Sequence, residues 1–306
     1  MKETWYIIVN PQSGGGRAGK TWPEVARHLQ ELSVPFEAVF TTAPQHAMSL
    51  AGEGVARGFR RFAAAGGDGT INEVVHGLFS HDAAGDFLFA AIPIGTGSDW
   101  ARMYRIPRNP HTAAALLKTG RHSRQDIGRL RCDTPAGETT RYFVNVAGLG
   151  YDAYVTKKTA HIAKNGVRGQ FFYLRALLSG LLSYEPVSIR FEADSFSFEG
   201  KIYSANVAIC RYNGGGMRPA PEADPNDGLF DITIIEDLNL FQVLRNLIRL
   251  YNGTIYRYRR VHHFRAKSLY VKSQPDSLVE VDGEVPGYLP AKFDLLPSAL
   301  AIVVGS

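Results

Sequence analysis

Phe62-Ala63-Ala64-Ala65-Gly66-Gly67-Asp68-Gly69-Thr70-Ile71-Asn72-Glu73 is the stretch on which the reading of this chain turns. A short apolar run ends in glycines, and a helical pattern from Thr70 to Leu78 follows at once. The run reads as a buried strand and the pattern as a helix. The glycines between them let the backbone turn sharply and bring N–H groups close to an anion. The helix N-terminus adds a positive partial charge at the same point. Asp68 stands where a carboxylate can organise a magnesium ion or its waters. Thr70 and Asn72 can donate to phosphate oxygens. An ordinary tight turn capped by Asp and Thr has the same composition, so the phosphate reading needs support from the rest of the chain.

That support lies on both sides. Trp5–Val9, Phe36–Phe40 and Phe87–Ile92 read as further strands. Helical patterns cover Ala18–Leu32, His46–Arg57 and Ser98–Tyr104. Strands alternating with helices imply crossover units and an α/β domain with a mostly parallel sheet, which binds ligands at the carboxyl ends of its strands. Asn10-Pro11-Gln12-Ser13-Gly14-Gly15-Gly16 follows the first strand, Thr41 the second, and Ile92-Pro93-Ile94-Gly95-Thr96-Gly97-Ser98-Asp99 the fourth. Parallel strands would bring all these loops to one edge, where they could jointly enclose a nucleotide. A rival sits in the first loop. Gly14-Gly15-Gly16-Arg17-Ala18-Gly19-Lys20-Thr21 satisfies G-x4-G-K-[ST]. Four residues separate its first glycine from the strand, and Pro23 falls where the helix should be running. It would also leave the other two loops unexplained.

The rhythm changes after about Gly120. Tyr142–Val146, Val187–Phe191, Lys201–Ile209, Phe230–Ile235, Ser268–Val271 and Leu278–Val281 read as strands, and Gly169–Leu182 and Leu240–Leu250 as helices. This predicts a C-terminal antiparallel β-rich domain over 126–295 behind an N-terminal domain over 1–125. A strand at about 296–306 can return to the first domain. The formal charge of +5 and pI of about 9.1 favour anionic partners without choosing among nucleotides, acidic membranes and nucleic acid. Cys132 and Cys210 lack metal spacing and read as buried thiols of a reducing cytoplasm. The N-terminus has no signal-peptide pattern. Phe171–Tyr184, interrupted by Arg175, is shorter than the roughly 20 residues of a spanning helix. The expectation is a cytoplasmic protein, peripheral at the inner face of the membrane. Nucleic acid is disfavoured, and a homodimer is admitted.

Asn10-Pro11-x-Ser13-Gly14, Gly66 to Glu73 and Pro93-x-Gly95-Thr96-Gly97-Ser98-Asp99 together resemble the diacylglycerol kinase catalytic domain superfamily. This includes soluble bacterial diacylglycerol kinases, related bacterial lipid kinases, and sphingosine and ceramide kinases. The resemblance continues through Asp126-Ile127-Gly128, Gly148 to Ala153, Asp227-Gly228-Leu229-Phe230-Asp231 and Asp282-Gly283-Glu284. Ser98 stands where the family often has Asn. Gly-Gly-Asp-Gly-Thr is shared with NAD kinases, and the Asn-Pro-x-Ser-Gly and Asp-Gly-Glu motifs separate the two.

The resemblance implies an ATP- and magnesium-dependent lipid kinase. It places Asn10, Pro11, Gln12, Ser13, Gly14, Thr41, Gly66, Gly67, Asp68, Gly69, Thr70, Ile71, Asn72 and Thr96 at ATP. Asp68, Asp99 and Asp126 become candidates for the magnesium network near the phosphates. A structural magnesium loop is implied at Asp224–Leu229, through the Asp227 carboxylate and the Asp224 and Leu229 carbonyls. Asp227-Gly228 also reads as a hairpin turn. Phosphoryl transfer to an alcohol needs a carboxylate to take the proton, and Asp282 and Glu284 are the candidates, with no choice between them. The apolar helix surface of Phe171, Phe172, Leu174, Leu177, Leu178, Leu181 and Leu182 suits acyl chains or a core. The aromatic and basic run Tyr256–Lys267 suits an anionic membrane or a solvated strand. The alternatives are an NAD kinase-like enzyme and an inactive lipid- or nucleotide-binding regulator.

Overall fold

The structure is a computed structural model that describes residues 2–82, 85–95, 98–164, 180 and 183–305. Thr96, the helix expected over Gly169–Leu182 apart from Gly180, and all seven residues of its apolar surface lie outside the described residues. The chain divides into two units. Unit 1 holds Met1–Ile127, Pro225–Asp227 and Leu296–Ser306, and unit 2 holds Gly128–Asp224 and Gly228–Leu295.

Unit 1 runs β1 (Lys2–Val9), α1 (Arg17–Glu31), β2 (Phe36–Phe40), α2 (His46–Ala56), β3 (Phe59–Gly66), α3 (Asp68–His81), β4 (Leu88–Pro93), α4 (Asp99–Met103) and α5 (Pro110–Thr119), then enters β5 (Arg121–Thr134). β1 pairs in parallel with β2 and β3, and β3 with β4. The register sets Val9 opposite Phe40 and Ala65, and Gly66 opposite Pro93. The strand carboxyl ends therefore share one edge. The apolar positions of α1 explain its docking. Ala18, Trp22, Val25 and Leu29 recur at helical spacing, are buried, and pack on Trp5, Ile7 and Val9. Each large side chain buried this way contributes about 1.5–3 kcal/mol. Pro23 sits inside α1, beyond the first turn that was expected to be its limit. The start of α5 has a plain local cause. Asn109 accepts from the N–H groups of His111 and Thr112, and Pro110 takes a first-turn position where no N–H is needed.

Unit 2 contains β6 (Gly137–Phe143), β7 (Val146–Gly150), α6 (Tyr151–Lys164), β8 (Val187–Glu192), β9 (Ser197–Ala208), β10 (Phe230–Glu236), α7 (Leu240–Asn252), a 3-10 turn (Ile255–Arg257), β11 (Val261–Ala266), β12 (Ser268–Gln274), β13 (Leu278–Val281) and β14 (Glu284–Val304). Every named pairing here is antiparallel. β7, β9, β8, β12, β14 and β13 pair in a closed circuit, because β9 gives its first half to β8 and its second half to β7. β10 and β11 extend from the other side of β9. The far end of β14 belongs to unit 1, where Ala301 and Ile302 pair in parallel with Leu88 and Phe89.

Two local readings are corrected. The strand expected over Tyr142–Val146 is broken at Val144 and Asn145, which lie between β6 and β7. The amides of Val144, Asn145 and Val146 all point at one carboxylate, that of Asp282, so the chain turns there instead of continuing a ladder. Asp227-Gly228 is not the tip of a hairpin, since β10 pairs with β9 and β11 and no strand directly precedes it. The Asp-Gly hairpin lies at Asp282-Gly283. Val281 faces Glu284 there, and both central residues have positive φ, 47° and 89°. This is the condition of a type I′ turn.

Candidate active site

In unit 1 the loops that follow β1, β2, β3 and β4 meet. Asn10 N–H donates to Ala65 O at 3.0 Å, Thr41 N–H to Val9 O at 2.9 Å, and Ile94 N–H to Gly66 O at 2.9 Å. Asn10 Nδ2 donates to Thr70 Oγ1 at 3.2 Å, and Asn10 Oδ1 accepts from Gln12 N–H at 3.1 Å. Gly66 is glycine for a steric reason. A Cβ there would stand 2.5 Å from Thr70 Oγ1 and 3.1 Å from Ser13 Oγ. The small residue thus lets Ser13 and Thr70 converge over the end of β3. Ile71 places its side chain in the core and donates its N–H to Gly67 O at 3.2 Å.

The first loop folds differently from a P-loop. Gly14, Gly15 and Gly16 take positive φ in succession, and α1 begins at Arg17, so Lys20 and Thr21 lie within the helix. The N–H groups of Gly16, Ala18 and Gly19 donate to the carbonyls of Gln12, Ser13 and Pro11, each at 3.1 Å. These amides hold the loop to itself. Pro11 also packs on Gly19, where a Cβ would approach its ring carbon to 3.2 Å.

Carboxylates join the loops to one another. Asp68 Oδ2 accepts from Asp99 N–H at 3.0 Å and Oδ1 from Trp100 N–H at 3.2 Å, so the start of α3 holds the start of α4. Burial raises the Asp68 carboxyl above its usual range, against the pull of these two amides. Glu73 does the same for α2, accepting from Gln45 N–H and Ala47 N–H at 3.1 Å each. Asp99 is buried and accepts from the Arg102 guanidinium. Asp126 is also buried. Its Oδ1 accepts from Ser298 N–H at 2.6 Å, and its N–H donates to Pro225 O at 2.8 Å. Two contacts were not foreseen from sequence. Arg17 Nη2 donates to Gly95 O at 3.1 Å and ties the first loop to the fourth. Glu73 clamps α2, although only its place in the motif was noted.

In unit 2 the two acids of Asp282-Gly283-Glu284 have different surroundings. Asp282 Oδ2 accepts from Val144 N–H at 2.9 Å, and Oδ1 from Asn145 N–H at 3.1 Å and Val146 N–H at 3.0 Å. Glu284 begins β14 and is half-buried. Beneath the turn lies a carboxyl that the sequence reading passed over. Glu280 is buried, and its Oε2 accepts from Gly283 N–H at 2.9 Å. Burial, with Asp152 and Asp282 nearby, pushes it up to about 8. Asp152 accepts from Ser204 Oγ at 3.0 Å, and burial raises it to about 6. Gly148 separates the two acids. A Cβ there would lie 2.5 Å from Glu280 Oε1 and 2.8 Å from Asp152 Cβ. In the sequence Glu280 stands as a lone acid inside the apolar run Leu278-Val279-Glu280-Val281, where nothing marks it as buried.

The Asp224–Leu229 segment crosses the division of the chain, with Asp227 in unit 1 and Asp224 and Leu229 in unit 2. Asp227 is exposed, and Gly228 has φ 75°. Among the described residues, no three His, Cys, Asp or Glu side chains converge on one point. Cys132 and Cys210 are both buried and unbridged.

The sequence pattern of the diacylglycerol kinase catalytic domain matches residues 4–130, and that of the YegS C-terminal NAD kinase beta sandwich-like domain matches residues 145–304. A diacylglycerol kinase of Staphylococcus saprophyticus is 30% identical over 96% of this chain and 92% of its own. One of Bacillus subtilis is 31% identical over 94% of this chain and 91% of its own. The solved structure of a diacylglycerol kinase from Bacillus anthracis superposes with a TM-score of 0.74 at 19% identity, covering 99% of this chain and 97% of the other. A yeast NADH kinase complexed with NADH shares the fold more distantly, with a TM-score of 0.57 at 11% identity over 99% and 84% of the two chains. The chain belongs to the diacylglycerol kinase family.

Proposed function

We propose that this chain is a lipid kinase that moves the γ-phosphate of ATP to the hydroxyl of a diacylglycerol-like acceptor. The observation that carries the reading is the meeting of four strand-end loops at one sheet edge in a member of this family. Asn10 to Gly14, Thr41 and Gly66 to Asn72 surround the nucleotide phosphates, and Thr96 joins them by resemblance. Arg17 adds a cation beside Gly95.

In the reaction the acceptor oxygen forms a bond to the γ-phosphorus, the bond from that phosphorus to the bridging oxygen breaks, and ADP leaves. The acceptor proton passes to a carboxylate. Glu284 is that carboxylate. Asp282 is committed to three backbone amides and holds the corner between β6 and β7, so its role is to fix the turn. A positioned carboxylate contributes about 10²–10⁴-fold.

Magnesium, when bound, neutralises phosphate charge. The oxygen chemistry of this chain fits it. Asp227, with the Asp224 and Leu229 carbonyls, would hold a structural ion. Asp68, Asp99 and Asp126 each already take a donor, so they would act on the catalytic ion through its waters and not as direct ligands. No helix among the described residues is long and apolar enough to cross a membrane, and a cytoplasmic enzyme touching the membrane periphery fits the acceptor.

The test is incubation of the pure protein with ATP, magnesium and lipid micelles, with mass spectrometry of the products. Phosphorylated lipid is expected. Phosphorylated NAD in a parallel reaction, without phospholipid product, would refute the reading in favour of a nucleotide kinase.

A further inference from the structure

Helix α7 presents its faces the wrong way round for a soluble protein. Its one buried residue is Asn246, whereas Leu240, Phe241, Leu244, Leu247, Ile248 and Tyr251 are exposed. At 3.6 residues per turn these six fall in one arc of roughly 120°. Phe241 is 72% and Ile248 64% exposed, so most of each side chain meets solvent. The helix is firmly built. Asn239 and Gln242 form a reciprocal capping box, and Gly253 closes the C-terminus in the left-handed conformation. A contiguous apolar face of this kind marks an interaction surface.

Charge identifies the occupant. Arg245 and Arg249 flank the apolar arc on one side. From Leu238 to Lys267 the sequence has no Asp or Glu, and its Lys and Arg number seven: Arg245, Arg249, Arg257, Arg259, Arg260, Arg265 and Lys267. Arg245, Arg257, Arg259 and Lys267 are exposed. Of the two acids just before the helix, Glu236 is engaged elsewhere, receiving His262 at 2.6 Å. A second copy of this face would set cations against cations. An anionic bilayer would take both the apolar arc and the arginines.

We propose that α7 is the element by which this chain lies on an anionic phospholipid bilayer. Its apolar arc enters the boundary between headgroups and acyl chains, and Arg245 and its neighbours sit among the lipid phosphates. The inference deepens the peripheral contact proposed above and rests on it.

The experiment is sedimentation of the full chain, without nucleotide, with vesicles of phosphatidylcholine alone or mixed with phosphatidylglycerol. Wild type is expected to bind the mixed vesicles and to release as salt rises. Phe241→Ser/Ile248→Ser and Arg245→Glu/Arg259→Glu are each expected to bind at least tenfold more weakly. All four sites are solvent-facing, and unchanged circular dichroism checks the fold. Mixed vesicles that fail to bind wild type overturn the proposal together with the peripheral contact. Variants that bind as wild type overturn α7 alone. A wild-type dimer that the serine variant dissolves, with vesicle binding unchanged, assigns the face to a second copy and also overturns it. Phosphorylation of a water-soluble short-chain diacylglycerol, unaltered in the variants, keeps the kinase reading separate from all these outcomes.

Discussion

Replacing Glu280 by Gln should make unit 2 more stable at alkaline pH, a reversal of what loss of a buried contact normally does. The carboxyl is buried beneath the Asp282-Gly283 turn, accepts from Gly283 N–H at 2.9 Å, and shares its surroundings with Asp152 and Asp282. Burial raises it from 4.5 to about 8, a difference of 8 − 4.5 = 3.5. At about 1.36 kcal/mol for each unit, the ceiling is on the order of 5 kcal/mol. Between pH 4.5 and 8 the folded chain holds a proton that the unfolded chain has released. Its stabilising effect is therefore complete below about 4.5, shrinks as pH rises, and is gone above about 8. Gln keeps the volume and the acceptor for Gly283 N–H but has no proton to lose. The stability of Glu280→Gln relative to wild type should rise by roughly 2–4 kcal/mol from pH 5 to pH 8.5. Trp5, Trp22 and Trp100 all lie in unit 1, so tryptophan fluorescence reports the wrong unit. Urea titration by circular dichroism, with amide exchange of β7 and β13, is the suitable assay. Parallel pH profiles for variant and wild type would show that Glu280 does not hold a proton in the folded state.

Glu284→Gln should lower phosphate transfer by at least about 10²-fold while leaving the melting temperature unchanged; normal turnover would remove Glu284 as the base. Asp282→Asn should act on the fold first, because an amide nitrogen cannot accept from Val144–Val146. A loss of about 1–3 kcal/mol is expected, and equal-to-wild-type denaturant midpoints would contradict it. Gly66→Ala would drive a Cβ to 2.5 Å from Thr70 Oγ1, which should cost about 1–3 kcal/mol and weaken ATP binding in titration calorimetry. Arg17→Ala, at an exposed position bonded to Gly95 O, should raise the KM for ATP several-fold with the fold intact. An unchanged KM would remove Arg17 from the site.

Much of unit 1 was legible because its signals are local. Apolar runs ending in glycine, followed by helical spacing, mark β1, β3 and their helices to within three residues at each end. The edge where their loops meet then follows from the parallel register. Unit 2 was less legible. β9 changes partners halfway along its length, and the strand expected at about 296–306 is the end of one long strand, β14, that begins in unit 2; neither the change nor the continuity leaves a compositional mark. Pro225–Asp227 joins unit 1 through pairings such as Asp126 N–H to Pro225 O, made across about a hundred residues of sequence. The Asp-Gly hairpin signal was read at Asp227 because apolar runs flank it, yet positive φ at both residues occurs at Asp282-Gly283. Two Asp-Gly pairs of similar composition differ in what their side chains meet, and sequence does not contain that. Arg17 and Glu280 were passed over for the same reason, since each matters through a partner far along the chain.

The motif acids illustrate what a sequence pattern selects. Asp68, Glu73 and Asp282 stand in motifs that suggest chemistry, yet each spends both oxygens on backbone N–H groups of another element. A charged acceptor forms stronger hydrogen bonds than a neutral one, and a carboxylate can hold two amides at once. That makes it the economical device for fixing the start of α4, the start of α2 and the break between β6 and β7. Loops rich in glycine lose much entropy when ordered, so a phosphate site built from them needs such struts before it can aim any N–H. The acids with the most conspicuous spacing are therefore the ones that position the site. Glu284, proposed above as the base, differs from them in beginning a strand and being half-buried.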